Sequence, residues 1–481
     1  MNILFCIKET AMHERLGVMQ LSAILKSNGH NVKIAVLGRL GLTRLKHLVH
    51  RFKPSVIGYS AMTGEHVSLL SINRELKKEF VFTAVFGGPH GTFFPNIIKE
   101  YGCDAVCRGE GDIVFPEFCR RLEHDKEYWD TPNFVVKRGD KVYENPLIPL
   151  VADLDELPFP DRDIIYEADP SLLIEGHKMF FSGRGCPYKC SYCFNVKYND
   201  LYKGKGSVVR YRSPEKVVEE IALVKSRYPL SVVWIDDDIF LLKPREWFDR
   251  FCSLYKREVG LPFSCNVRAN LVTEESVKLL KDAGLDSVWM GVECGDDGVS
   301  NNILQRELST SQILTASEIF KAHKVKLSTQ NLVGIPVPNS YKVDLKTLDL
   351  NIAIKPTFAW SSILYPYPDT DIERYAKKTG YLSGQPPALE TNKRYSLFDF
   401  SQTGEKRKIE NLHKLFGLFV EFPVLNRSRH YLCRLPLGTL YTALFYLWYG
   451  YNMKIRIFPF KSTHKEIGSY IRLWWKYVRK S

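Results

Sequence analysis

Gly185-Cys186-Pro187-Tyr188-Lys189-Cys190-Ser191-Tyr192-Cys193-Phe194 places three cysteines at C-x3-C-x2-C spacing, with an aromatic residue just before the third. Three thiolates on one tight loop can hold three irons of a cubane cluster. Such clusters ordinarily take four Cys ligands, so a three-Cys loop implies a [4Fe–4S] cluster whose fourth iron is open to another ligand. Zinc is the competing metal, but it takes four N/S ligands in paired spacings. No second C-x2-C or H-x3-H follows this loop. Free Cys is among the most buried residue types, and Cys6, Cys103, Cys107, Cys119, Cys252, Cys265, Cys294 and Cys433 read as core or surface thiols. Cys103 and Cys107 stand four apart, one in a loop and one at a strand end, so a second cluster there is only an alternative.

The chain has 481 residues, 45% hydrophobic and 25% charged. That composition is ordinary for a folded globular protein, and the length suits about three domains. Met1–Ile7 runs into a strand-like segment without a basic leader, so no signal peptide is expected. Eleven cysteines without such a signal argue against a disulfide framework and for a reducing cytoplasm. The net charge of +13 is concentrated: Gly404–Ser481 carries 15 Lys/Arg against four acids, which is +11 of it.

Apolar strands alternate with helical patterns from Met1 to about Glu123. The strands are Asn2–Ile7, Asn31–Leu37, Pro54–Ser60, Thr83–Phe86 and Ala105–Arg108, and the helix Leu16–Ser27 ends at Gly29, a C-cap residue. The pattern implies a doubly wound parallel sheet, which binds ligands at the carboxyl ends of its strands. Those ends carry Ser60-Ala61-Met62-Thr63, Gly87-Gly88-Pro89-His90 and Gly109-Glu110-Gly111, small residues that let a flat ligand approach the backbone. A Pro-broken stretch, Leu154–Arg162, reads as an extended connector.

Six further strands follow, each separated by a helical pattern: Phe180–Gly185, Val232–Asp236, Phe263–Val267, Ser287–Glu293, Lys326–Gly334 and Phe358–Leu364. Six β-α units imply a partial TIM-like barrel, with chemistry at the C-terminal strand ends. The cysteine loop directly follows the first of these strands. Asp236-Asp237-Asp238 follows the second and is either a ligand-binding cluster or a solvated helix cap. Arg268 ends the third, where its fork suits a carboxylate or a structural salt bridge.

After Thr403 the chain turns basic and aromatic. Leu435–Gly450 lacks charge but is short of the roughly 20 residues of a membrane span. Ile467–Lys480 interleaves Ile471, Trp474, Trp475 and Tyr477 with Arg472, Lys476, Arg479 and Lys480, a pattern of interfacial helices. The C-terminus is therefore either a helical lid over the barrel or a membrane-surface anchor; nucleic acid is not expected, because no recognition fold accompanies the charge.

From residue 1 to about 400 the chain resembles the cobalamin-binding radical S-adenosylmethionine (SAM) enzymes. Gly87–His90, Arg108–Gly111 and Pro54–Ser60 resemble their cobalamin domain, although the D-x-H-x-x-G motif is absent, as it commonly is in this branch. His90 is accordingly expected as a loop or solvated side chain rather than a cobalt ligand. Gly291-Val292-Glu293-Cys294-Gly295 is similar to the family's G-[VI]-E-S-G segment, Gly334-Ile335-Pro336 to its G-x-P turn, and Tyr365-Pro366-Tyr367-Pro368-Asp369-Thr370 to P-x-P-G-T with Asp for Gly.

The resemblance implies a Rossmann-like cobalamin domain (1–150), a linker (151–177), a partial (β/α)6 radical SAM barrel (178–385) and a mainly helical C-terminal segment (386–481). It also implies roles. Cys186, Cys190 and Cys193 would hold the cluster. Tyr192, Asp236, Asp238, Arg268, Glu293, Arg306, Gly334 and Pro336 would surround SAM, with Asp236–Asp238 on its amino group and Glu293 on its ribose. Thr63, Gly87, Gly88, Gly109 and Glu110 would face cobalamin. The family's adenosyl radical removes a hydrogen from an unreactive carbon, and cobalamin passes a methyl group to that centre. The expected partners are a small, hydrophobic or lipid-like substrate and an external electron donor such as flavodoxin or ferredoxin. The expected activity is methyl transfer to carbon or phosphorus. The alternatives are cyclisation or C–C bond formation without net methylation, and a non-catalytic cobalamin sensor.

Overall fold

A computed structural model describes residues 1–10, 13–124, 126–384 and 394–457. The aromatic and basic run Ile467–Lys480 lies outside the described residues. Two compact units form: one comprises Met1–Glu175 and Lys197–Arg212, the other Gly176–Val196 and Ser213–Pro387, continuing from Asn392.

The first unit is built on a seven-stranded sheet ordered β2-β1-β3-β4-β5-β6-β7. The first five strands, β1 (Asn2–Ile7), β2 (Asn31–Val36), β3 (Val56–Ser60), β4 (Thr83–Gly87) and β5 (Ala105–Cys107), are parallel, as their apolar runs imply. The helix Leu16–Ser27 ends as expected. Gly29 takes φ 82°, Gly29 N donates to Lys26 O and His30 N to Leu25 O, the paired bonds of a Schellman cap.

Two features depart from expectation. An antiparallel hairpin, β6 (Phe134–Arg138) and β7 (Lys141–Glu144), extends the sheet beyond β5. Its two-residue turn, Gly139-Asp140 with Gly139 at φ 59°, is a hairpin signal that was present in the sequence. The stretch expected as a linker instead packs into this unit. Ile164, Ile165 and Tyr166 are buried, and Arg162 makes a buried ion pair of 2.8 Å with Glu14.

The second unit holds a six-stranded, all-parallel sheet in chain order: β8 (His177–Phe180), β9 (Val232–Ile235), β10 (Phe263–Val267), β11 (Leu285–Glu293), β12 (Lys326–Val333) and β13 (Phe358–Ile363). Helices Pro214–Arg227, Arg245–Glu258, Glu274–Ala283, Thr310–Ala322 and Ser340–Ile354 alternate with the strands. β8 and β13 are its two edges, so the barrel is open. The strand β8 stops before the cysteine loop rather than running into it. Ser182 N and Gly183 N donate to Asp237 Oδ1 at 2.7 and 3.0 Å, which takes these amides out of the main ladder.

The C-terminal helix Lys406–Glu421 packs on β13, and Gly438–Tyr451 packs on that helix through His413 and Phe445, rings 5.0 Å apart. No described helix is long and apolar enough to cross a membrane.

Candidate functional site

The cysteine loop is pinned at its middle. Ser191 N donates to Leu304 O at 3.0 Å, and Ile372 N donates to Ser191 O at 3.0 Å. Cys193 N closes a turn on Cys190 O, and the helix Phe194–Leu201 starts directly after. Cys186 and Cys190 are buried. Burial, with smaller contributions from the neighbouring thiols, pushes Cys186 up to about 11 and Cys193 to about 12. Such thiols ionise readily only where a metal supplies positive charge. Donors already face the sulfurs: Asn195 N lies 3.5 Å from Cys193 Sγ, and Arg306 Nη1 4.0 Å from Cys190 Sγ. Among the described residues no three His, Cys, Asp or Glu side chains gather tightly enough for a single metal ion. A cubane spreads its ligands over separate irons, so three mutually coupled thiols on a pinned loop fit it.

Around the loop stand the other predicted residues. Arg306 is buried, donates to Tyr192 Oη at 3.0 Å and to the Gly291 carbonyl, and lies 3.9 Å from Glu293 Oε1. Glu293 sits at φ 62°, where the pairing of β11 with β12 shifts register. A non-glycine residue in that conformation is strained, and such strain collects at functional sites. Burial pushes Glu293 above its usual range, and Arg306 only partly opposes this.

The three adjacent aspartates divide their work. Asp237 is a brace, buried and paired with Lys243 Nζ at 2.7 Å besides its two amides. Asp236 and Asp238 each accept a neutral side-chain amide, from Asn266 Nδ2 and Asn195 Nδ2, both at 3.1 Å. Burial pushes Asp236 up to about 7, while Asp238 is exposed. These two carboxyls are therefore the ones placed to take a cationic ligand group. Asn266 and Asn195 were not singled out from sequence; Asn266 shares a strand face with Arg268, which was the available signal.

Arg268 serves differently from either sequence reading. It is buried, stacks over the Tyr188 ring at 3.7 Å and donates to the carbonyls of Arg306 and Glu307. Gly334 takes φ 74°, and its N–H is held by both oxygens of buried Asp344 at 3.1 and 3.0 Å. Pro336 is buried beside it. Asp369, in the place where the related segment has Gly, adopts φ 63°, the conformation that Gly would favour.

In the first unit the predicted strand ends are neighbours, because β3, β4 and β5 are adjacent. Ala61 N donates to Gly87 O at 3.0 Å and His90 N to Ala61 O at 2.9 Å. Gly88 is at φ 78°, and an added Cβ would meet Ala61 O at 3.0 Å. Gly87 and Gly88 leave these backbone edges bare of side chains, which fits a flat macrocycle, while Gly109 makes room for the Tyr202 side chain against its backbone.

Thr63 is buried, with Oγ1 3.3 Å from His90 Nδ1. His90 is neither in a loop nor solvated. It lies buried in the helix Gly88–Phe93, stacked on His66 at 3.5 Å, and burial pushes it down to about 3. Glu110 does not present a free carboxylate. It pairs with Arg210 at 2.7 Å and accepts from Val151 N at 3.2 Å, while its own N–H donates to Tyr202 Oη.

With this geometry in hand, comparison with known proteins places both halves. The family described as the B12 binding domain matches residues 6–119, and the Radical SAM superfamily matches residues 180–343. An uncharacterized methyltransferase of Pyrococcus horikoshii is 26% identical over 377 residues, covering 75% of this chain and 78% of that one. An anaerobic magnesium-protoporphyrin IX monomethyl ester cyclase of Rubrivivax gelatinosus is 26% identical over 374 residues, covering 74% and 65%. Among solved structures, the radical SAM methyltransferase TsrM of Kitasatospora setae, with cobalamin and a [4Fe–4S] cluster bound, superposes with a TM-score of 0.64. It is 15% identical, with 80% of this chain and 76% of that one covered.

Proposed function

The chain belongs to the cobalamin-dependent radical SAM enzymes, and on that premise we propose that it methylates an unactivated carbon or a phosphorus of a small hydrophobic substrate. When bound, the cluster and SAM supply a 5′-deoxyadenosyl radical and cobalamin supplies the methyl group. The chain's own residues hold and orient. Cys186, Cys190 and Cys193 ligate, Arg306 and the Asn195 amide lower the negative charge on the sulfurs, and Asp236 and Asp238 receive the SAM ammonium. Glu293, set at the register break beside Arg306, faces the sugar hydroxyls. In the first unit, Thr63 and the bare backbone at Gly87 and Gly88 support the corrin, with Gly109 and Glu110 held beside them by Tyr202. An external donor of the flavodoxin or ferredoxin class supplies the electron.

The observation that carries this reading is the co-occurrence in one chain of a three-thiol loop, ringed by partly compensated carboxyls, and a glycine-bared sheet edge. A hydrophobic substrate is the reading that the aromatic-rich C-terminal segment suggests. Cyclisation without net methylation is the second reading, favoured by the likeness to the Rubrivivax cyclase.

Anaerobic reconstitution with iron, sulfide and hydroxocobalamin tests the proposal. About four irons and one cobalt per chain, with SAM-dependent change in the visible spectrum of the bound cobalamin, are expected. The Cys190→Ala variant should retain cobalt and form no 5′-deoxyadenosine. Cobalt whose spectrum ignores SAM would overturn methyl transfer and leave cyclisation.

A further inference from the structure

We propose that the outward face of the helix Gly438–Tyr451 docks on an anionic membrane surface. The helix is two-sided. Its inner face places Phe445 and Tyr449 against Trp360, with rings 5.3 and 5.0 Å apart, and buries Tyr441. Its outer face carries Leu440, Leu444, Leu447 and Tyr451, all exposed, at the three- and four-residue spacing of one helical stripe, and exposed Leu437 and Ile455 flank the helix. Leu440 and Leu447 are 53% and 57% exposed.

The exposure is concentrated. Of the 22 large apolar side chains exposed among the described residues, ten fall between Phe422 and Ile455. A contiguous apolar patch of this kind marks an interaction surface. Fourteen helical residues give a stripe about 21 Å long, suited to lying flat on a surface rather than crossing one.

Charge selects the occupant. Phe422–Ile457 contains five basic residues, Arg427, Arg429, Arg434, Lys454 and Arg456, and no Asp or Glu. Two of the five meet acids from outside the stretch: Arg429 pairs with Asp349 and Arg456 with Glu421. Arg427 and Arg434 are exposed. Exposed Arg427 and Arg434, in the same stretch as the apolar stripe, complement lipid phosphates. The inner face of the same helix packs on Trp360 and Phe358, so the outer face is the one left for the lipid.

The test is co-sedimentation of the full-length, cofactor-loaded protein with phosphatidylglycerol vesicles and with phosphatidylcholine vesicles, for wild type and for the combined variant Leu440→Ser, Leu444→Ser, Leu447→Ser. Wild type should bind the anionic vesicles, and the variant should bind at least about tenfold less while forming 5′-deoxyadenosine from SAM at the wild-type rate. Wild type that stays in solution, or a variant that binds as well as wild type, overturns the proposal. So does a wild-type dimer in gel filtration that the three substitutions dissolve, since the stripe would then meet a second copy. Vesicle binding and cobalamin methylation are read separately, so either reading can fail without the other.

Discussion

The strand ends of the first unit and those of the barrel solve opposite electrostatic problems. In the first unit the charged group, Glu110, is matched by Arg210 in a two-oxygen pair, at 2.7 and 3.0 Å, and burial lowers His90 to about 3. At Gly87 and Gly88 what remains is backbone. At the barrel, Asp236 and Asp238 meet only neutral amides, and Glu293 stays raised despite Arg306. A site that has settled its charges suits a large ligand held by shape and main chain. A site with unsettled carboxyls suits a small ligand that brings its own positive charge.

Three measurements sharpen or break this contrast. The largest effect is expected from Gly109→Ala. Gly109 is at φ 69°, and a Cβ there would lie 1.7 Å from Tyr202 Oη. The loop must shift, so cobalt retained after reconstitution should fall below about a tenth of wild type. Iron content should be unchanged. Full cobalt retention would mean that shape at this strand end does not govern cobalamin binding.

Next in size is Glu293→Gln, which keeps the shape and removes the charge. SAM should bind about 10- to 100-fold more weakly, the loss of one charged hydrogen bond or two, with cluster content unaltered. Isothermal titration with SAM reads this directly. Undiminished affinity would make Glu293 a counter-charge for Arg306 and nothing more.

The smallest effect concerns pH. Asp236 is raised to about 7 by burial, so it holds its proton below that value in the free protein. A bound ammonium requires the carboxylate, so SAM affinity should fall as pH drops below about 7, by up to about tenfold per unit. Asp236→Asn should flatten the profile and weaken binding at pH 8. The same shift acts on stability with the opposite sense. Between the ordinary carboxyl range and about 7 the folded state binds more protons than the unfolded one, so this group favours folding less as pH rises.

Much of the architecture was legible because it is locally encoded. The apolar runs of the eleven expected strands appear as strands within a few residues, and Gly29 marks a helix end because only a residue tolerant of positive φ closes it so. The hairpin Phe134–Glu144 was missed although its Gly-Asp turn was readable, since a single turn weighs little beside a long parallel pattern. The Pro-rich connector was misread for a different reason. Prolines report an extended backbone but not what it packs against, and the Arg162–Glu14 pair joins residues 148 apart.

The C-terminal segment offered two readings, a lid or a membrane anchor. The structure places lid-like contacts on one face of Gly438–Tyr451 and the exposed leucines on the other. The run that suggested an anchor, Ile467–Lys480, lies outside the described residues, and the two faces of Gly438–Tyr451 became visible only once the barrel took one of them.

The spacing of the three loop cysteines, the positions of the strands along the chain and the glycines at their ends were readable from the sequence alone, because each depends on residues a few positions apart. The separation of Asp237, braced by Lys243, from Asp236 and Asp238, met by neutral amides, was decided only in three dimensions. So were the diversion of Arg268 to the Arg306 and Glu307 carbonyls and the engagement of Glu110 by Arg210. In each case a charged side chain must be matched or left unmatched by partners distant in the chain, and burial fixes the cost of leaving it so.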